Sequence, residues 1–186
     1  MTPFKFSLKI SAMLLIIGLS LTNCKKEEEN DDATLALLLA AATTTSGDCV
    51  VNTTGRGSIT TNTTDLTVSG VSKTGTISKL GTVPIVGHQT AALKFTVTAA
   101  TTITLTGNAF GILYKADACP LPASGALTYN SGFTTTAADS TSEFATSHKL
   151  VTSATTVIAT AGTYYYFFYA IPSRGQAATV GYVVSP

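Results

Sequence analysis

The chain predicts an all-β fold, an antiparallel two-sheet sandwich over residues 47–186, on three observations. Threonine supplies 35 of the 186 residues; its β-branched side chain favours strands, and its hydroxyl lets a strand face water without a charge. About ten short segments alternate apolar and polar residues between turn signals spaced roughly eight to twelve residues apart. No segment after residue 46 reads as a long helix. The alternation also argues against disorder, because a disordered chain has no reason to keep period two.

The N-terminus is organised differently. Residues 1–9 carry Lys5 and Lys9 and no acid, and Ile10 to Leu21 is an apolar run. This is the layout of a signal peptide, and the run is shorter than the roughly 20 residues that a spanning helix needs. It closes on Leu21-Thr22-Asn23-Cys24. That stretch resembles a lipobox, with Leu21 three residues before the cysteine and Asn23 where a small residue is usual. In this looseness it is similar to the lipoboxes of spirochaete outer-membrane lipoproteins. The resemblance implies cleavage after residue 23, a diacylglyceryl group on the Cys24 thiol and acylation of the freed amine. It also implies a membrane partner reached through lipid, and the absence of Asp directly after Cys24 favours, by the same resemblance, an outer-membrane location. Two or more acyl chains hold a protein stably on a bilayer where one does so only marginally.

Residues 24–46 then read as a connector. Lys25 to Asp32 is a run of charged and polar residues that stays solvated and serves as a tether. Ala33 to Ala42 is built of strong helix formers, and Asp31 and Asp32 stand where they can cap it. It is too short to span a bilayer. Thr43 to Gly47 ends it as a hinge.

Two cysteines remain once Cys24 is set aside. Outside the cytoplasm, Cys49 and Cys119 read as a disulfide that closes a loop of about 70 residues, worth roughly 4 kcal/mol in chain entropy. Two free buried thiols are the competing reading. A zinc site is not expected, since neither a CxxC spacing nor paired histidines accompany them.

Within the domain the predicted strands are Ser58–Thr61, Leu66–Ser69, Gly75–Lys79, Thr82–Val86, Leu93–Val97, Thr102–Thr106, Ala109–Lys115, Leu127–Tyr129, Lys149–Thr152, Thr155–Ala159, Tyr164–Ala170 and a last one around Val180, Tyr182 and Val184. Leu93, Phe95 and Val97 share a face, as do Ile103 and Leu105, and Phe110, Ile112 and Tyr114. Pro84 suits an edge. Tyr164–Ala170 is apolar on both faces, which predicts a central strand buried between layers rather than a stacking platform for sugars. The strand pattern of residues 90–185, with its Ala161-Gly162-Thr163-Tyr164-Tyr165 step, resembles the pre-peptidase C-terminal domain, a jelly-roll-like module of secreted bacterial proteins. That family often carries an acidic pair, associated with calcium, before its Leu-Tyr strand. Asn108-Ala109-Phe110-Gly111 stands there instead, so the calcium association does not carry over.

Charge and chemistry narrow the function. Charged residues make up 11% of the chain, and without the leader lysines the net charge is near −1, so nothing here would release counterions from nucleic acid. His88 and His148 are the two histidines. His148, near Asp139, Ser142, Glu143 and Ser147, reads as part of a solvated Ser/Thr loop, and two carboxylates fall short of the six to eight oxygens that calcium takes. Asn52-Thr53-Thr54 and Asn62-Thr63-Thr64 match the glycosylation triplet and read as exposed turns. No nucleophile elbow, zincin or phosphate-loop motif is present. The expectation is a non-enzyme without cofactor or metal: a lipid-anchored, adhesin-like binding module toward an extracellular protein or glycan, presenting the loops 116–124 and 130–147. A structural envelope protein without specific ligand, or an accessory module of a secreted hydrolase, are the alternatives.

Overall fold

The computed structural model describes residues 47–66, 72–84, 86–98 and 100–186; the leader, Cys24, the charged tether and the apolar run lie outside them. The described chain is all-β. Its strands are β1 (Cys49–Thr53), β2 (Gly57–Thr61), β3 (Thr63–Leu66), β4 (Lys73–Thr76), β5 (Gly81–Val83), β6 (His88–Val97), β7 (Thr101–Lys115), β8 (Thr134–Thr135), β9 (Ala138–Asp139), β10 (His148–Leu150), β11 (Ser153–Ile158), β12 (Gly162–Ala170) and β13 (Ala177–Ser185). Among the described residues, helix is confined to two three-residue 3-10 turns, Ala123–Gly125 and Pro172–Arg174.

β7 organises the molecule. The Thr102–Thr106 and Ala109–Lys115 segments, expected as two strands, are one strand that bends at Gly107, where φ is +153°. That value lies where a side chain is strained, and glycine accepts it. Before the bend β7 lies between β11 and β13, whose outer neighbours are β8 and β4. After the bend it lies between β10 and β12, and the sheet continues through β6 to an edge shared by β3 and β5. All these pairings are antiparallel except β3 with β6, which run parallel. One long strand therefore belongs to two sheets that face each other.

The period-two pattern decides what fills the space between them. Odd positions of β7 (Ile103, Leu105, Ala109, Leu113), together with Leu93, Phe95 and Val97 of β6, enter the main core. Even positions of β12 (Tyr164, Tyr166, Phe168) and of β13 (Val180, Tyr182, Val184) meet them. The opposite face of β12 carries Tyr165, Phe167 and Tyr169 into a second cluster with Phe110, Ile112 and Tyr114. The β1–β2 hairpin covers this cluster through Val51 and Ile59. β12 is thus apolar on both faces because a layer packs on each; every residue from Tyr164 to Ala170 is buried. Each large side chain removed from water in this way contributes about 1.5–3 kcal/mol before the entropy cost of ordering the chain.

Several segments depart from the sequence reading. β1 was not expected as a strand, nor were the two-residue β8 and β9 inside the 130–147 loop. Leu127–Tyr129 is not a strand; Ala126 makes an isolated bridge to Tyr114. Residues 67–69 of the Leu66–Ser69 segment lie outside the described residues, and Leu66 closes β3. The 116–124 and 130–147 loops are not freely displayed: Leu121, Phe133, Ala137 and Phe144 anchor them in the two clusters.

Candidate functional site

The disulfide shapes the surface around it. Cys49 and Cys119 are bonded, with Cα atoms 5.4 Å apart and a sequence separation of 70. The bond ties the start of β1 to the loop after β7. Leu121 N–H donates to the Val50 carbonyl at 2.8 Å and Asn52 N–H to the Leu121 carbonyl at 2.9 Å, so the loop is stitched along β1.

Beside the disulfide the hairpin stops short of covering the sheet, and a cleft of about 490 Å³ opens over β12, β6 and β3. Its floor is a cross-strand row: Tyr165 of β12 lies opposite Lys94 of β6, and Lys94 opposite Asp65 of β3. Lys94 Nζ donates to Asp65 Oδ2 at 2.8 Å, and this bond raises the lysine pKa. Burial pushes the Tyr165 hydroxyl up, with nearby Lys94 partly opposing it. Asp48, Lys79 and Cys119 complete the walls, and Thr63 and Thr64 join Asp65 along one side. Residues 47–186 contain only twelve charged side chains, and four of them line this cleft. On so uncharged a domain that concentration makes the cleft a recess well supplied with charged hydrogen-bonding groups.

A second polar cluster is buried instead of open. His148, expected in a solvated loop, lies in β10 with 1% of its surface exposed. Its Nε2 hydrogen-bonds the Tyr166 hydroxyl, which also lies 3.2 Å from Thr156 Oγ1, and Thr156 donates to Thr135 Oγ1 at 3.0 Å. Phe133, Tyr129 and the edge of Tyr166 surround the ring, and its Nδ1 has no partner among the described residues. Burial lowers the histidine pKa to about 4. Room for the ring exists because position 111 is glycine: a Cβ there would stand 2.8 Å from His148 Nε2 and from Tyr166 Cε1.

The polar residues near His148 in sequence are not gathered around it. Asp139 Oδ1 accepts the Thr141 N–H at 2.9 Å, which lowers its pKa. Glu143 pairs with Arg174 at 2.8 Å, and Ser147 bonds Ser140. The other histidine, His88, has Nδ1 2.5 Å from the Tyr169 hydroxyl at the far end of β12. The glycosylation triplets are not exposed turns either. Asn52 lies within β1 and donates its side-chain amide to the Leu121 carbonyl at 3.0 Å, and Asn62 donates to the Leu80 carbonyl at 2.9 Å. Both half-buried amides carry backbone connections, which is why asparagine stands there. Cys24 lies outside the described residues.

The cleft was not visible in the sequence, because its charges come from positions 48, 65, 79 and 94. The nearest thing to a local signal is that an acid stands beside or near each bonded cysteine, Asp48 before Cys49 and Asp117 before Cys119. Asp117 acts electrostatically on Tyr165. Comparison with protein-family models, with curated proteins and with solved structures gives no match to this chain.

Proposed function

We propose that the protein is a lipid-anchored envelope lipoprotein whose β domain is a non-catalytic binding module, with the cleft beside the disulfide as its contact site. The observation that carries this reading is the cleft: an open, polar, charge-lined recess in a domain otherwise poor in charge. The leader and the lipobox-like Leu21-Thr22-Asn23-Cys24 support the anchor, and a disulfide suits an oxidising compartment outside the cytoplasm. The tether from Lys25 to Asp32 would hold the module clear of the lipid. An extracellular protein or a glycan is the partner class, and nucleic acid is not. The jelly-roll-like description of the two packed sheets, and the likeness of residues 90–185 to the pre-peptidase C-terminal domain, belong to the same proposal.

Two measurements test it. Acyl-chain labelling should mark the wild type and not Cys24→Ser; an unlabelled wild type removes the anchor. Binding of the full chain to matrix-protein and glycan arrays should be lost in the Lys79→Glu, Lys94→Glu double variant, whose substitutions sit on the cleft wall and floor. Arrays blank for the wild type, or binding that survives both changes, would leave the protein a structural envelope component.

A further inference from the structure

The cleft is lined by three consecutive residues of one strand, Thr63, Thr64 and Asp65. Successive side chains of a strand point to opposite faces of the sheet, so a recess that touches all three lies against the strand's edge as well as its face. β3 is the edge: its single strand neighbour among the described residues is β6.

The hydrogen bonds say which main-chain groups of that edge are turned outward. In a parallel ladder, alternate residues of a strand direct both main-chain groups to the same neighbour. The Asn62 carbonyl accepts the Ala92 N–H at 2.9 Å, so Asn62, Thr64 and Leu66 face β6. Thr63 and Asp65 face away. Thr63 bears this out, because its N–H is held by Asp48 Oδ1 at 2.8 Å, on the side opposite β6. Asp48 therefore closes the first outward donor of the edge. The Asp65 N–H and the Thr63 and Asp65 carbonyls are likewise turned away from β6, on residues that line the cleft. Lys79 lines the same cleft and has no side-chain partner among the described residues.

We infer that the cleft takes an extended peptide segment of a partner protein, which adds as a strand to the outer edge of β3. Main-chain bonds to Thr63 and Asp65 hold it, and an acidic side chain of the peptide meets Lys79. This deepens the binding-module reading and rests on it. Strand addition suits the site because an open edge offers a row of unpaired groups, which proteins ordinarily blunt. Here one donor is blunted by Asp48, and the next has no partner among the described residues and stands beside a cleft. A free glycan would use the Lys94 and Tyr165 floor and would have no use for the register of β3.

The experiment separates the edge from the floor. A random dodecapeptide library displayed on phage is selected on the full chain, and the enriched peptides are synthesised. Asp65→Ala removes the carboxylate and keeps the N–H, while Asp65→Pro removes the N–H as well. Proline is tolerated on an edge strand where the N–H faces outward, and Thr64 before it is already extended, so both variants fold; thermal unfolding checks this. The expected result is an acidic, alternating consensus that Asp65→Pro binds about tenfold more weakly than Asp65→Ala does, the weight of one main-chain hydrogen bond. Lys79→Glu should weaken it by about tenfold too. N-methylating alternate amides of the peptide should abolish binding in one register and spare it in the other. Equal binding by the alanine and proline variants, or a library that yields no peptide, overturns the inference. If a glycan then binds the wild type and not the Lys79→Glu, Lys94→Glu variant, the cleft reading stands without it.

Discussion

His148 should make the protein acid-labile, and the effect can be worked out from the structure. The folded chain holds the ring neutral with a pKa near 4, while the unfolded chain titrates near the ordinary 6.5. Below 6.5 the unfolded state binds a proton that the folded state refuses, so stability falls as pH drops from about 6.5 through about 4. Above pH 7 the effect vanishes. The difference amounts to about 3 kcal/mol at pH 4, or on the order of 10 °C in Tm for a domain of this size. Among the described residues, the groups around the ring offer no charge that would offset this. Phe133 and Tyr129 present their rings, Tyr166 is held neutral with a pKa above its ordinary value, and Thr156 and Thr135 carry only hydroxyls. Asp139 lies opposite His148 in the register, but its exposed carboxylate is turned to the Thr141 N–H. The assay is chemical denaturation at pH 7.5, 5.5 and 4, followed by far-ultraviolet circular dichroism, for wild type and His148→Phe. The variant should lose about 3 kcal/mol less between pH 7.5 and 4, since every other titrating group is shared and cancels. At neutral pH it should sit within about 2 kcal/mol of wild type, because Tyr166 keeps Thr156 and an orphaned nitrogen disappears. Equal pH dependence in the two proteins would refute the buried, neutral histidine.

Other substitutions probe the same construction. Gly111→Ala drives a Cβ to 2.8 Å from both His148 Nε2 and Tyr166 Cε1, so it should cost about 1–3 kcal/mol, read as a lower denaturation midpoint with unchanged slope. Tyr166→Phe leaves both His148 ring nitrogens without a partner in the core and should cost about 1–3 kcal/mol. Replacing Cys49 and Cys119 together by serine opens a loop of 70 residues and should lower stability by roughly 4 kcal/mol, with a matching fall in Tm when the wild type is reduced.

What could be read from the sequence was whatever depends on neighbours two residues apart. Leu93, Phe95 and Val97, or Val180, Tyr182 and Val184, declare their inward face by alternation alone, and the structure puts them in the main core. Tyr164 to Ala170 declares burial on both faces, since no solvated strand needs an apolar residue at every position. β1 escaped because Cys49–Thr53 alternates only weakly, and its burial comes from the disulfide and from Leu121, far along the chain. The bend in β7 escaped for the opposite reason. Gly107 looks like a turn between two strands, and only the pairing of β13 and β11 before it and β12 and β10 after it shows that the strand continues.

The two sites that matter most lie further beyond local reading. His148 sits in a Ser/Thr-rich stretch that composition assigns to solvent. It is buried because Tyr166 supplies a hydroxyl, Gly111 withholds a side chain, and Phe133 folds back over the ring. The cleft likewise exists because the hairpin stops where the disulfide pins it, leaving the cross-strand row of Tyr165, Lys94 and Asp65 as its floor, a row that no sequence spacing encodes. The same disulfide fixes Asp48 at the start of β1, where its carboxylate takes the Thr63 N–H. Cutting it should therefore do more than lengthen the unfolded chain's freedom: it should loosen the wall of the cleft and free the first outward donor of β3. A Cys49→Ser, Cys119→Ser protein that still folds should for that reason bind any cleft ligand more weakly, while Cys24→Ser, which changes the proposed lipid anchor and not the cleft, should bind it as the wild type does.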